Sequence, residues 1–486
     1  MNTGASLHLL DLGVLVAYLL GVTLWGAWLG RGRTSGRDYF LGGRDLPWWA
    51  VLLSVVATET STLTFLSIPG VSYMGSLVFL QLTLGYLVGR IVVAAIWLPA
   101  YARGELVTAY QLLETRFGTP VRRLTSAIFM ITRLLGDSVR LFATAIPLAL
   151  LTGQSFATAI VVIGLLTLVY TYFGGIRAVV WVDSVQMVLY LLGAVIAAVV
   201  LGTLIPGGWP AALADASAAG KLQVLDLRFD PATPYTFWAG LVGGAFLSMA
   251  SHGTDQLIVQ RLLTCRDLSS SRRALVGSGF AVILQFLVFL LLGIGLWSWY
   301  GGAAFERSDE IFARFILESL PVGITGLLVA GVLAAAMSSL SSSISALASA
   351  TAYDFWAPLA GRAHTSRDDD ERIGRVGRVF TLLWSGLLIA GALVFLRLGE
   401  GAASVEVALG IASLVYGALL GAFLLAARSR VTDGRAVAIG MLTAIALVTW
   451  LWLAHRSAVA WPWYVPIGAG VTLAVGLAGA RSPRAA

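Results

Sequence analysis

The stretch of sequence that decides the fold runs from residue 57 to residue 70 and reads ATETSTLTFLSIPG. It interrupts an apolar stretch long enough to cross a bilayer, and SMASHGTD at residues 248–255 interrupts another. Proline and glycine disrupt helices, and polar groups at membrane depth are costly. The second interruption falls about five apolar spans after the first, so the two enter the membrane from opposite sides. Matching interruptions of this kind indicate two inverted halves with a binding site between them.

The composition places nearly the whole chain in a membrane. Of 486 residues, 58% are hydrophobic and 12% are charged, whereas a soluble protein carries about twice that share of charge. The apolar residues suffice for about 13 spans of about 20 residues each, which excludes a sizeable soluble domain. Residues 160–169 and 282–292 are almost continuously apolar, so we expect helices rather than the alternating strands of a membrane barrel.

Thirteen apolar windows can be distinguished along the chain, so its two ends are expected on opposite sides of the membrane. They are residues 9–29, 47–72, 76–99, 123–151, 155–173, 179–203, 235–258, 275–300, 322–352, 379–397, 403–427, 436–454 and 460–480.

The positively charged residues predict the orientation. Most of the 32 lysines and arginines fall on one side, in the loops that hold Arg31, Arg103, Arg177, Arg261, Arg362, Arg428 and Arg481. The positive-inside rule makes that side cytoplasmic, which predicts a cell-membrane protein with its N-terminus outside and its C-terminus in the cytoplasm. The net charge of +7 is then explained by topology, without a nucleic-acid partner. Beyond the lipid bilayer, no obligatory protein partner is indicated.

Several motifs follow one another along nearly the whole chain. They are DYFLGGR at 38–44, LPWW at 46–49, the interrupted segment with IPG at 68–70, GGIRAV at 174–179, WVDSVQ at 181–186, Gln256 with VQR at 259–261, AAAMSSLSSS at 334–343, YG at 416–417 and GAF at 421–423. Together they resemble the motifs of the solute:sodium symporter family.

The resemblance implies an all-α, polytopic membrane protein of the leucine-transporter type, with about 13 transmembrane helices. Residues 1–46 would hold a leading helix and a cytoplasmic loop, and residues 47–203 the first inverted five-helix repeat. An extracellular loop at 204–234, the second repeat at 235–427, and two trailing helices with a short cytoplasmic tail at 428–486 would follow. The implied activity is sodium-coupled import of a small polar organic solute by alternating access, with Na⁺ as coupling ion and no organic cofactor.

A ladder of serines in the ninth span is the first candidate site. Ser338, Ser341, Ser342 and Ser345 stand at i, i+3, i+4 and i+7, so their hydroxyls share one helix face. Small residues on such a face can also serve close helix packing alone, and the spacing leaves this alternative open. The resemblance implies one sodium ion, bound by the carbonyls of Ala57, Thr60 and Ala335 and the hydroxyls of Ser338 and Ser339.

Asp183 lies in the sixth span, shortly after Arg177. A carboxylate within a span is costly and usually functional, although this one could instead pair with Arg177 or cap backbone groups. Some members of the resembled family have a second sodium site at this position. The resemblance therefore predicts a second site formed by Asp183, Ser338, Ser341 and Ser342.

Glu59 says most about the solute, because it lies inside the interrupted segment between two of the proposed carbonyl ligands. An unpaired charge there would be costly, so we expect it to meet a cation, an arginine or a polar solute. Arg133 and Arg140 share a face of the fourth span with Asp137 between them, which also allows a purely internal ion-pair network. The sharper interpretation is a pocket in which Glu59 binds a hydroxyl or ammonium group and Arg140 a carboxylate, with further contacts from Ser61, Thr64 and Ser248.

Three other interpretations use the same residues. Proton-coupled or uncoupled transport would keep the fold, with Glu59 or Asp183 taking up the proton. An intramembrane enzyme needs a complete constellation, whereas His252 and Asp255 are only two ligands and the chain has no H-E-x-x-H motif. A membrane sensor would bind the solute without moving it. We expect no enzyme activity and favour the sodium symporter.

Overall fold

A computed structural model describes residues 8–31, 35–103, 106–360, 367–398 and 404–479. Both ends of the chain, and with them the predicted positions of the termini, lie outside these residues, as does Arg362. The first part of the chain forms α1 (Leu9–Leu29), α2 (Gly36–Leu41), α3 (Trp48–Glu59), α4 (Thr62–Met74), α5 (Leu80–Ile96), α6 (Leu98–Arg103), α7 (Gln111–Phe117), α8 (Thr119–Thr152), α9 (Phe156–Leu204) and α10 (Gly208–Ala218). The second part forms α11 (Gly244–Gly253), α12 (Gln256–Leu262), α13 (Leu268–Trp299), α14 (Ser308–Glu318), α15 (Ile324–Ala350), α16 (Ala357–Leu359), α17 (Arg367–Leu398), α18 (Ser404–Arg428), α19 (Gly434–Ala454) and α20 (Tyr464–Gly479).

The predicted all-α class is confirmed, whereas the count of 13 spans stays a prediction. Among the described residues, eight helices are long and apolar enough to cross a bilayer, and the bent pair α3 and α4 makes a ninth. The repeat boundaries at 47–203 and 235–427 also stay predictions. The predicted extracellular loop at 204–234 contains a helix of its own, α10.

Helix α9 contains 49 residues, far more than the ~20 that one crossing needs. It is interrupted at Gly175, whose φ of 58° and ψ of −160° are not helical. Glycine adopts this conformation at low cost, and an added Cβ would lie only 2.6 Å from the Tyr39 carbonyl oxygen. The interruption falls between the two windows that the sequence analysis separates at 173 and 179.

The segment at 57–70 is a broken helix, as its polar run predicts. α3 ends at Glu59, Thr60 and Ser61 have extended backbone with ψ of 108° and 170°, and α4 begins at Thr62. The Ser61 N–H donates to Thr64 Oγ1 at 3.4 Å, whereas a continuous helix would direct it to the carbonyl of Ala57. The helix axis bends by 64° between the two halves.

The segment at 248–255 is a second break. α11 ends at Gly253 and α12 begins at Gln256. Asp255 caps α12, because its Oδ1 accepts the Leu257 N–H at 2.9 Å. A π-helical turn at Ala239–Gly243 leads into α11. Both interruptions of the apolar pattern are therefore interruptions of helices.

Helix α15, which carries the serine ladder, lies at the centre of the bundle. Every residue from Leu328 to Ala350 is buried. Asp11 of α1, 3% exposed, accepts the N–H groups of Gly323 at 2.6 Å and Gly326 at 2.8 Å. The first N–H groups of a helix lack partners within it, so this carboxylate fixes the start of α15.

Candidate functional site

The first broken helix exposes backbone carbonyls inside the bundle. Ala57 lies in the last turn of α3, and the extended conformation of Thr60 and Ser61 removes the regular helical bonds at this point. Carbonyl oxygens suit a monovalent cation that must bind and be released. A neighbouring helix, α13, also holds the break, since the Thr60 hydroxyl donates to Gln285 Oε1 at 3.2 Å.

The hydroxyls of the serine ladder differ in what they bond. Ser341 and Ser342 donate to the carbonyl of Ser338, at 3.0 and 2.5 Å. The Ser339 hydroxyl is buried and has no hydrogen-bond partner within the described part of the chain, and the buried Ser338 hydroxyl has only the Asp183 carboxylate as its partner there. Buried hydroxyls that make fewer hydrogen bonds than they can are costly, so the oxygens of these two serines can still coordinate a ligand.

Helix α15 places these two hydroxyls beside the break in the first broken helix. Thr62 donates to the carbonyl of Val332 at 3.0 Å, and Thr58 Oγ1 lies 3.2 Å from Ser342 Oγ. These contacts lie on either side of Ser338 and Ser339 along α15. Two segments whose contacting residues are 284 positions apart in the chain are thus brought together.

A small cavity lies between the break, the ladder and α8. Its wall is formed by Ser61, Thr62, Asp137, Arg140, Leu141, Thr144, Ala336, Ser339 and Leu340. Arg140 is 23% exposed and donates to Asp137 at 3.1 Å. A guanidinium has five donors, so this bond leaves it able to bind a second acceptor. Ser61 and Arg140 are the predicted solute residues that line the cavity, whereas Glu59, Thr64 and Ser248 do not.

Glu59 belongs to a separate cluster. It forms an ion pair with Arg90 of α5, and its carboxylate lies 3.6 Å from Nε2 of His252 in α11. Arg90 Nη2 lies 3.1 Å from the same nitrogen. The Arg90 side chain is fully buried, while Glu59 is 22% exposed. The cluster joins the first segments of the two broken helices and supplies the arginine that a partly buried Glu59 requires.

Other polar residues of the two breaks are bonded within the protein. Thr64 accepts the Ser61 N–H, and Ser248 donates to the carbonyl of Tyr86 at 2.9 Å. Asp255 pairs with Arg133 and accepts the Tyr416 hydroxyl at 2.8 Å. Within the described residues, no group of three His, Cys, Asp or Glu side chains could hold a metal ion.

Asp183 pairs with Arg261 and not with Arg177. Arg261 Nη2 donates to Asp183 Oδ2 at 3.0 Å, and both side chains are fully buried. Arg177 pairs with Asp45 at 2.6 Å. The apolar windows predict a cytoplasmic loop at Arg261, but the helix restarts after Asp255, and this arginine lies inside the bundle as part of α12.

Arg90 and Arg261 are absent from the residues that the sequence predicts for the site. An arginine within an apolar span is a functional signal in its own right, and this signal identifies Arg90. Arg261 gives a weaker signal because it lies three residues beyond its apolar window. Its inward position follows from the restart of the helix, which the sequence pattern leaves undetermined.

Comparison with known proteins decides the family. The model of the sodium:solute symporter family matches residues 39–442. The chain belongs to this family. The symporter is 28% identical to the human sodium/iodide cotransporter over 453 residues, covering 91% of this chain and 69% of that protein. It is 27% identical to the sodium/sialic acid symporter NanT of Aliivibrio fischeri over 450 residues, covering 90% and 86%. It is also 27% identical to the sodium-coupled monocarboxylate transporter 2 of Bos taurus over 456 residues, covering 92% and 71%.

Solved structures of transporters share the symporter's fold. A substrate-bound, outward-open structure of a Na⁺-coupled sialic acid symporter has a TM-score of 0.87 and 25% identity, covering 97% of this chain and 98% of that chain. A nucleobase-cation-symport-1 family transporter, in a closed conformation, has a TM-score of 0.55 and 13% identity, covering 93% and 95%.

These comparisons confirm the predicted leucine-transporter type of fold and the predicted family. The symporter is a multi-pass membrane protein that couples a small-molecule solute to sodium ions. Members of its family are transporters rather than enzymes.

Proposed function

We propose that the symporter imports a small carboxylate-bearing solute across the cell membrane, together with sodium bound between α3 and α15. The proposed ligands of the ion are the carbonyls of Ala57, Thr60 and Ala335 and the hydroxyls of Ser338 and Ser339. The observation that carries this site is the pair of buried serine hydroxyls beside the broken helix, of which Ser339 has no partner among the described residues and Ser338 has only the Asp183 carboxylate. Asp183, Ser341 and Ser342, together with Ser338, are the proposed second sodium site.

The cavity wall supports a carboxylate as the solute's binding group. Arg140 and Ser61 face one cavity, and a guanidinium pairs with a carboxylate through two parallel hydrogen bonds. The relatives are named for iodide, monocarboxylates and sialic acid, which are all anions at neutral pH. Glu59, Thr64 and Ser248 are further proposed contacts, which the solute reaches by exchanging their present hydrogen bonds.

Sodium and solute are proposed to act through alternating access. An ion that bridges the break and α15 would favour one arrangement of the two repeats, and the solute would bind that arrangement more tightly. Release of sodium on the cytoplasmic side would then weaken solute binding. The proposal keeps the orientation from the positive-inside rule, with the N-terminus outside and the C-terminus in the cytoplasm.

A paired-ligand experiment tests the solute class. The purified symporter is heated with small monocarboxylates, with sialic acid and with the corresponding amides, each in sodium and in choline buffer. We expect carboxylates to raise the melting temperature in sodium only, because binding to the folded state stabilises it by mass action. Stabilising acids are then assayed for sodium-driven uptake into proteoliposomes.

Arg140→Gln is the matched variant, because it retains hydrogen-bonding groups and removes the charge. We expect it to reduce the affinity for a carboxylate at least about tenfold, as loss of a charge-assisted hydrogen bond would. Equal stabilisation by acid and amide, or an unchanged affinity in the variant, would remove the carboxylate from the proposal.

A further inference from the structure

Arg261 occupies the centre of a fully buried polar cluster. Its Nε donates to Ser54 Oγ at 2.9 Å, and its Nη1 donates to the carbonyl of Leu257 at 2.7 Å. Its Nη2 donates to Asp183 Oδ2 at 3.0 Å and also to Ser342 Oγ. The guanidinium therefore contacts two of the residues proposed for the second sodium ion.

Only one of the two oxygens of the Asp183 carboxylate bonds to Arg261 and Ser54. Oδ2 accepts from Arg261 and, at 2.7 Å, from Ser54. Oδ1 is buried and accepts no hydrogen bond from Arg261 or Ser54, and the Ser338 hydroxyl also bonds to this carboxylate. One oxygen of the carboxylate is thus neutralised by the protein's own cation, while the other has unused capacity for a second cation.

The two oxygens of Asp183 share one negative charge, so a cation at one of them affects the binding of a cation at the other. A buried carboxylate requires a positive partner, and the guanidinium provides one. A sodium ion at Asp183 would add a second positive charge to an environment that Arg261 has already neutralised. It would also need the Ser342 hydroxyl, whose lone pair now accepts from Arg261.

We propose that Arg261 acts as a tethered cation that competes with sodium for Asp183 and Ser342. This inference rests on the proposed function, because it takes these residues as sodium ligands. Sodium that enters this site weakens the hydrogen bonds from Arg261 to Ser54 and Asp183. Arg261 belongs to α12, whereas Ser54 and Asp183 belong to α3 and α9. Occupancy of the ion site is thereby linked to the contact between the second broken helix and the first repeat.

Equilibrium binding of ²²Na⁺ to the purified full-length symporter tests this competition without a known solute. In Arg261→Gln, the half-saturating sodium concentration should fall about tenfold or more, within the range of coupling between two linked sites. The charge-balanced control is Arg261→Gln with Asp183→Asn, in which the gain should disappear. Unchanged or weaker sodium binding in a well-folded Arg261→Gln protein would overturn the proposal, because Arg261 would then position Asp183 rather than compete for it.

A second variant covers the case in which Arg261→Gln does not fold. Arg261→Lys keeps the charge, but an ammonium lacks the planar fork that reaches Ser54, Asp183 and Ser342 together. We expect a smaller gain in sodium affinity for this variant, and a loss of affinity would overturn the proposal. If the unsubstituted protein shows no saturable ²²Na⁺ binding, the sodium site of the proposed function fails, which is a different result from saturable binding that the Arg261 variants leave unchanged.

Discussion

Buried ion pairs are the dominant feature at the scale of single residues. Glu59 pairs with Arg90, Asp255 with Arg133, and Asp183 with Arg261. Glu59 and Arg90, like Asp183 and Arg261, come from different helices, and Asp255 joins the second break to Arg133 of α8, so the pairs involve both broken helices. Removing one member of such a pair leaves an uncompensated charge and costs about 3–5 kcal/mol, whereas removing both costs far less.

The pair between Glu59 and Arg90 gives a direct test of this asymmetry. We expect Glu59→Gln to destabilise the symporter by about 3–5 kcal/mol, because Arg90 is then left fully buried without a partner, and Arg90→Gln to cost less, because Glu59 is 22% exposed. The double variant should recover part of that loss. Thermal unfolding of the three purified variants measures it, and a double variant as unstable as the two single losses combined would show that the charges are independent.

The sequence identifies the polar residues of the site better than it identifies their pairing. Glu59 stands out because it lies in an apolar stretch, and its need for a positive partner follows from the same fact. Its partner is Arg90 rather than Arg140 because α5 brings Arg90 against the end of α3, whereas Arg140 faces the cavity from α8. Which helix faces meet depends on tertiary packing, and a single sequence carries little information about that.

At the scale of elements, α4, the second half of the first broken helix, is in backbone contact with its neighbours. An added Cβ at Gly293 of α13 would lie 1.9 Å from the Pro69 carbonyl oxygen, and one at Gly70 would lie 2.0 Å from the Ser308 carbonyl oxygen. Contacts this close need glycine, because rigid backbone cannot move away as a flexible side chain can. Helix α4 is thus packed directly against α13 and the segment that begins α14.

Gly293→Ala tests this contact. We expect it to lower the melting temperature or the yield of monodisperse protein, since overpacking of this kind costs about 1–3 kcal/mol or more. The matched control is Gly386→Ala on α17, where no atom lies within 4 Å of the added Cβ. That variant should be neutral or slightly stabilising, because alanine favours helix by about 1 kcal/mol over glycine. Equal behaviour of the two variants would contradict the packing argument.

Element positions were largely predictable, and the exceptions have physical reasons. The polar runs at 57–62 and 248–255 predict both breaks, since hydrophobic periodicity fails there. Helix α10 lies in a segment predicted as a loop. Its 11 residues are too few to be recognised as a membrane span from the sequence. A hydropathy window does not detect that α12 is buried. Its polar residues lower the hydropathy, and they can be buried only because they form hydrogen bonds with residues far away in the chain.

At the scale of the whole molecule, the number of sodium ions decides what the symporter can accumulate. One sodium moving with one monovalent anion carries no net charge, so a tenfold sodium gradient, worth ~1.4 kcal/mol, supports about tenfold accumulation. A second sodium adds its own gradient and ~2.3 kcal/mol from a potential of about 100 mV, which raises the limit to roughly 5,000-fold. The proposed competition between Arg261 and sodium for Asp183 therefore affects how far the solute can be accumulated.

Sodium alone should stabilise the whole protein if the serine hydroxyls bind it. At about 100 times the dissociation constant, the free energy of unfolding should rise by about 2.7 kcal/mol relative to choline buffer. Ser338→Ala should lose most of this gain, together with sodium-stimulated uptake. Ser349→Ala is the control, since its hydroxyl lies on the same helix and accepts a hydrogen bond from Gln256. Full sodium stabilisation in Ser338→Ala would exclude that serine as a ligand.

The hydrogen bonds from the start of α15 to Asp11 have a consequence for biosynthesis. Asp11 and Gly323 are 312 positions apart in the chain, and ribosomes add about 5–20 residues per second. The carboxylate on α1 therefore waits roughly 15–60 s for its partner. During that interval α1 must stay close to the insertion machinery. Helix α15, which is synthesised much later, can then still pack against it.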